Sequence, residues 1–218
     1  MTYQDLLDFL NKNKDEKYAS FSKTLSNSDY QVIGVRIPIL KDFVKKHYQE
    51  IDIDESKLGT YLEIDFLYFT SNLKRKNKIE TQLEFIKDNI YKAKSWAITD
   101  MITSFLKKCP FELYKEYFLK MYNSKHIYER RFAYVFSLKF YKDKDILFIL
   151  DYIKENEDYM VMMAEAWVLA TIAITYQEEI YQKLVKINDM SLKRKTISKI
   201  VESYRITDEY KARVKELR

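Results

Sequence analysis

Trp96, Arg131 and Trp167 stand 35 and 36 residues apart, each inside the second member of a pair of helix-like segments. Neighbouring second segments near Leu67 and Ile200 continue the rhythm at slightly over ~30 residues. Identity between these units is weak, so the repeat is one of structure rather than of letters. A helix pair of this length cannot bury its apolar face alone and must stack on the next pair. That predicts an all-α chain, an α-solenoid of HEAT-like antiparallel helix pairs. In such a stack the second helices line one concave wall, on which Trp96, Arg131 and Trp167 are expected to converge.

Local signals agree. Two glycines and two prolines in 218 residues starve the chain of turn formers and argue against an all-β fold. The spacing of apolar residues predicts helices over 3–11, 15–25, 37–48, 56–73, 77–91, 94–108, 111–122, 127–141, 144–155, 158–176, 178–187, 191–204 and 208–217. Thr2, Ser56, Ser191 and Thr207 stand where helix starts want a hydroxyl, and Pro38 falls in a first turn that tolerates proline. No Gly-, Ser- or Pro-rich linker interrupts the pattern, so residues 1–218 read as a single domain.

Several classes of chemistry lack their raw materials. The single cysteine, Cys109, cannot form an internal disulfide, which fits a reducing interior, and its place before Pro110 at a helix end suits a structural role. The N-terminus shows no secretory signal and no apolar run reaches the length of a membrane span, so a cytoplasmic, non-membrane protein is expected. Gly34 and Gly59 are isolated, which excludes a glycine-rich phosphate loop. His47 and His126 are far apart with no cysteine set, so no metal is expected. An enzyme of this composition would run on a carboxylate with aromatic and cationic helpers, without an organic cofactor.

Charge is unevenly spread. Residues 74–108 and 191–218 each hold nine Lys/Arg against four acids, so each carries +5 and the remainder sums to −5. Residues 1–73 alone sum to −3. A Lys-rich run can simply be a solvated helix face, but two concentrated basic segments also suit a polyanion.

The segment Ser95-Trp96-Ala97-Ile98-Thr99-Asp100 raises the sharpest question. At about 100° per residue, Ala97, Ile98, Met101, Ile102, Phe105 and Leu106 form a core face. Trp96, Thr99, Asp100, Thr103, Ser104 and Lys107 form the opposite arc, with Trp96 and Asp100 one turn apart. An indole on a polar arc either packs beneath a neighbouring repeat or is displayed to a ligand. Arg131 lies in a largely apolar helix beside Val135 and Leu138, so its guanidinium needs an acidic partner or an anion. Trp167 sits in Tyr-Met-Val-Met-Met-Ala-Glu-Ala-Trp, apolar almost all round, where core packing is the default.

Taken together, these stretches resemble the DNA alkylation repair glycosylase family of HEAT-repeat proteins. Residues 30–46, YQVIGVRIPILKDFVKK, resemble its GVR-x-P-x-L-R/K segment, and SWAITD its segment with a Trp four positions before an Asp. ERRFAYVFSL is similar to its Arg-centred helix, MMAEAWVLATIAI to its later Trp-bearing helix, and SLKRKTISKIVESYRI to its closing helix. The matches keep their order from about residue 18 to residue 206.

The resemblance implies a concave DNA-binding face with Asp100 as the catalytic carboxylate and Trp96 and Trp167 as aromatic walls. It implies Arg131, Lys193 and Arg194 as DNA contacts, and Lys107, on the polar arc that displays Trp96, is expected to bind DNA with them. The implied activity is excision of cationic alkylpurines, N3-methyladenine and N7-methylguanine, from double-stranded DNA by hydrolysis of the N-glycosidic bond, in base excision repair. The chain is then a monomer, cytoplasmic and nucleoid-associated when bound to DNA. A HEAT-repeat protein that binds damaged or branched DNA without excision, and a protein-interaction scaffold, are the alternatives. Around Trp167 the local sequence carries Glu165 and no base, a departure from what a DNA contact wants.

Overall fold

The computed structural model describes residues 1–26, 29–155 and 157–218, and the described residues are helical with no named strand. The helices are α1 (Tyr3–Lys12), α2 (Glu16–Ser26), α3 (Ile37–His47), α4 (Leu62–Arg75), α5 (Ile79–Asn89), α6 (Trp96–Phe105), α7 (Phe111–Met121), α8 (Ile127–Ser137), α9 (Tyr159–Ile172), α10 (Gln177–Lys186), α11 (Met190–Glu202) and α12 (Asp208–Lys215). The chain folds into two compact units, Met1–Lys107 and Lys108–Arg218. No helix among the described residues is long and apolar enough to cross a membrane.

Within each unit the second helices of successive pairs lie against one another, as α-solenoid stacking requires. In the first unit α4 packs on α3 and on α6. In the second, α8 packs on α7 and α9, and α9 on α10 and α11. The five positions of the 29-to-36-residue rhythm, Leu67, Trp96, Arg131, Trp167 and Ile200, fall on α4, α6, α8, α9 and α11.

Local physics explains where the helices start and where the expected boundaries move. Thr2 accepts from the Asp5 amide and Asp5 returns a bond to the Thr2 amide, a reciprocal cap on α1. Thr207 caps α12 as expected. Ser56 does not start a helix. Asp54 caps a single 3-10 turn, Gly59 turns the chain at φ +82°, and α4 begins at Leu62. Residues 144–152 are a 3-10 segment rather than an α-helix, yet they hold the place of first helix ahead of α9.

Two buried acids tie the loops of the first unit to α4. Glu63, 3 % exposed, accepts from the amides of Ile33, Gly34 and Val35 at 3.1, 2.7 and 3.3 Å. Gly34 holds φ +96°, and a Cβ there would lie 2.5 Å from the Asp15 carbonyl oxygen. Asp65 accepts from the Tyr30 hydroxyl and from the Gly59 amide. Tyr30 in turn accepts from the Lys94 amide at 3.1 Å, so the network reaches the residue before the Ser95 cap of α6. Burial pushes the Asp65 carboxyl up to about 6, against the pull of those two hydrogen bonds and the Lys94 charge.

Candidate active site

Helix α6 begins at Trp96 because Ser95, buried and extended, accepts the Ala97 amide with its side chain. The buried residues of α6 are Ile98, Thr99, Ile102 and Thr103. Its core face is therefore turned from the expected one: both threonines go inside, while Ala97, Met101 and Phe105 stay half-buried. The Thr103 hydroxyl donates within the helix, to the carbonyls of Thr99 at 2.9 Å and Asp100 at 2.8 Å, so little polar capacity is lost by burying it.

That rotation leaves Trp96 and Asp100 together on the open side, in partly apolar company. A cavity of about 300 Å³ is walled by Trp96, Ala97, Asp100, Met101 and Ser104 of α6, with Tyr18, Phe21 and Ser22 of α2 and with Ile37 and Leu62. Phe21 is 60 % exposed at its rim. A half-buried carboxylate among three aromatic rings is an environment that favours a cation, through charge and through the negative faces of the rings. Lys107 does not line this cavity. It lies on a second one, of about 290 Å³, with Lys74, Lys76 and Phe105.

In the second unit Trp167 is 38 % exposed, although its neighbours in α9 are nearly all buried. The default of core packing is thus overturned. Helices α8 and α11 both bury flanks of α9, and Trp167 stands on the strip left between those flanks. It lines a cavity of about 320 Å³ with Thr171, Ile174, Lys199, Tyr204 and Arg205 among its walls. The bases missing from its own sequence neighbourhood come from α11 and the residues after it. Their place about one period downstream is the signal that local reading of the Trp167 segment passes over.

Arg131 is only 5 % exposed, and its Nη1 donates to the Met160 carbonyl at 2.6 Å, in the first turn of α9. A main-chain carbonyl thus takes part of the bonding expected from an acid or an anion. The neighbouring Arg130 pairs with Glu157, at 3.0 Å. Lys193 and Arg194 lie half-buried and exposed in the first turns of α11. Ser191 is not its cap; Asp189 accepts the amides of Ser191 and Leu192 at 2.8 and 3.1 Å. Those two amides are consequently committed, and an anion here would meet side chains rather than that part of the helix end. Cys109 is buried, as a structural role requires. No cluster of three or more His, Cys, Asp or Glu among the described residues could hold a metal ion.

The profile of the family described as DNA alkylation repair enzyme matches residues 3–202. A solved structure described as a predicted DNA alkylation repair enzyme from Enterococcus faecalis superimposes with a TM-score of 0.63 at 15 % identity, over 88 % of this chain and 98 % of that one. At that identity the likeness speaks to fold alone. None of the curated proteins compared with the chain matches it significantly. Because the family profile covers both units through nearly their whole length, the chain belongs to the DNA alkylation repair enzyme family.

Proposed function

We propose that the chain is a DNA glycosylase that removes cationic alkylpurines, N3-methyladenine and N7-methylguanine, from double-stranded DNA. The observation that carries this reading is the shared cavity of Trp96 and Asp100, with Tyr18 and Phe21 as further walls. An alkylated purine bears a positive charge and is already a good leaving group. The N-glycosidic bond breaks with its electron pair passing to the base, which leaves neutral. Positive charge builds on the deoxyribose, and Asp100 stabilises it as a carboxylate does in glycoside hydrolysis. The oxygen of a water then bonds to the sugar carbon and its proton passes to Asp100 or solvent, leaving an abasic site. This chemistry asks for no metal or organic cofactor.

Trp96 supplies an aromatic face to the cationic base or sugar, worth roughly 0.5 to 2 kcal/mol per ring. Trp167, exposed in its own unit, is the second such face, with Lys199 and Arg205 beside it. Lys107, Lys193 and Arg194 contact phosphates through their side chains. Arg131, seated on the Met160 carbonyl, contributes chiefly by fixing the start of the helix that bears Trp167.

The test is release of methylated purines from methylated duplex DNA by the wild type and by Asp100→Asn, with binding measured at two salt concentrations. Asp100→Asn should bind DNA as the wild type does and lose on the order of 10²-fold or more in single-turnover release. Wild-type binding without release would identify a non-catalytic DNA-binding relative. Absence of both would leave a scaffold.

A further inference from the structure

A carboxylate in a protein interior is unfavourable unless a network satisfies it, and a satisfied network fixes geometry. Asp65 is 0 % exposed, between Ile64 and Phe66 on α4, and each of its partners belongs to a different segment. Tyr30, 1 % exposed, donates to it from the loop after α2, and the Gly59 amide donates at 2.9 Å from the turn before α4. The Lys94 side chain, from the link before α6, crosses the same turn, where a Cβ on Gly59 would run into it. A phenol hydroxyl has one hydrogen and two lone pairs. Asp65 takes the hydrogen, which leaves a lone pair for the Lys94 amide, 3.1 Å away. The loop that carries Tyr30 is itself fixed to the start of α4. The Gln31 amide donates to the Thr60 carbonyl at 2.8 Å, the Leu62 amide to the Gln31 carbonyl at 3.0 Å, and Glu63 takes the amides of Ile33, Gly34 and Val35. From this frame the Tyr30 hydroxyl reaches across to the start of α6.

The same frame carries part of the wall that faces Trp96 and Asp100. Ile37 opens α3 just beyond the loop and Leu62 opens α4, and both line the cavity with Trp96 and Asp100. Tyr30 is not a wall of that cavity. Lys94 precedes the Ser95 cap, Trp96 is the first residue of α6, and Asp100 follows one turn later. The helix has support of its own, since Ser95 caps it and Ile98, Thr99, Ile102 and Thr103 are buried. Loss of the Tyr30 hydroxyl therefore leaves α6 folded and loosens its first turn against the wall. We infer that Tyr30, oriented by Asp65, is a positioning residue for base release: it sets Trp96 and Asp100 against Ile37 and Leu62. This rests on the glycosylase reading above and deepens it. A misplacement of about 1 Å at a reacting centre can cost about 10²-fold in rate, so one hydroxyl outside the cavity has leverage on the reaction inside it.

The test is single-turnover release from methylated duplex DNA by the full chain over a range of protein concentrations, which separates the maximum rate from the half-saturating concentration. Tyr30→Phe deletes the hydroxyl alone. Its maximum rate should fall about 10- to 100-fold, with the half-saturating concentration within about 2-fold of wild type. A merely structural role does the reverse, because a smaller folded fraction raises the half-saturating concentration and leaves the maximum rate. Asp65→Asn keeps a carbonyl for the Gly59 amide but turns a donor toward the Tyr30 hydroxyl, and should lower the maximum rate by a similar factor. The double variant should be no worse than either single one, since both act through the bond to the Lys94 amide. Tyr210→Phe removes a buried hydroxyl bond, to the Gln177 carbonyl in the other unit, and should change neither parameter. Thermal melts check that each variant is folded at the assay temperature. Four results overturn the positioning role: an unchanged maximum rate in Tyr30→Phe, a loss confined to half-saturation, an equal loss in Tyr210→Phe, or losses that multiply in the double variant. No release by the wild type overturns the glycosylase reading and this inference with it, a result distinct from release that ignores Tyr30.

Discussion

Replacing Glu165 by Gln should make the second unit more stable at pH 8 and leave it nearly unchanged at pH 5. The Glu165 carboxyl is 0 % exposed, in the middle of α9. Its Oε1 accepts the Lys154 amide at 2.9 Å, while Oε2 has no hydrogen-bond partner among the described residues. The nearby Tyr134 hydroxyl donates instead to the Tyr152 carbonyl, at 2.6 Å. Burial therefore dominates, and it pushes the carboxyl from 4.5 up to about 7.

The direction of the pH effect follows from proton counting. In the unfolded chain Glu165 gives up its proton near 4.5, whereas in the folded chain it keeps it to about 7. Between those values the folded state binds more protons, so stability falls as pH rises through that window. A shift of this size, at about 1.4 kcal/mol per unit, makes the ionised form cost about 3 kcal/mol above pH 7. Gln carries no charge at any pH and still offers a carbonyl to the Lys154 amide. Its advantage over Glu should grow from within about 1 kcal/mol at pH 5 to about 2–3 kcal/mol at pH 8. Urea unfolding at four pH values reads it, followed by Trp167 fluorescence in a Trp96→Phe background so that the emitter lies on α9. A difference that stays constant with pH, or a Gln form less stable at pH 8, would refute the reasoning. Either result means that the buried carboxylate is charged and satisfied.

Two further substitutions probe how the candidate site is held. Glu63→Ala should destabilise the first unit by about 2–4 kcal/mol, because the amides of Ile33, Gly34 and Val35 lose their acceptor together. Urea unfolding read by Trp96 in a Trp167→Phe background measures it, and a loss below about 1 kcal/mol would mean that water replaces the carboxylate. Asp189→Ala should cost about 1 kcal/mol by uncapping α11, and should also tighten DNA binding, since an acid is removed beside Lys193 and Arg194. Weaker DNA binding without loss of stability would place Asp189 in a different role.

The architecture was legible because stacking imposes its period on the sequence. Trp96, Arg131 and Trp167 mark successive second helices, and the shortage of glycine and proline left few other folds open. Faces were less legible, for reasons that differ between helices. In α9 two flanks are buried by α8 and α11, so almost every residue is apolar and no period remains to show that Trp167 looks outward. In α6 the pattern points the wrong way. Two threonines fill core positions, with Thr103 bonded inside the helix, while Ala97 and Met101 are spent on a cavity wall. A helix whose apolar residues serve a pocket as well as a core must break the binary pattern somewhere, and the break then falls at the pocket. The misreading of α6 is therefore informative about where Trp96 and Asp100 lie. The side chains departing from a clean amphipathic stripe are the ones that surround them, and a charged, aromatic pair that costs the helix its regular pattern is one the fold has reason to display.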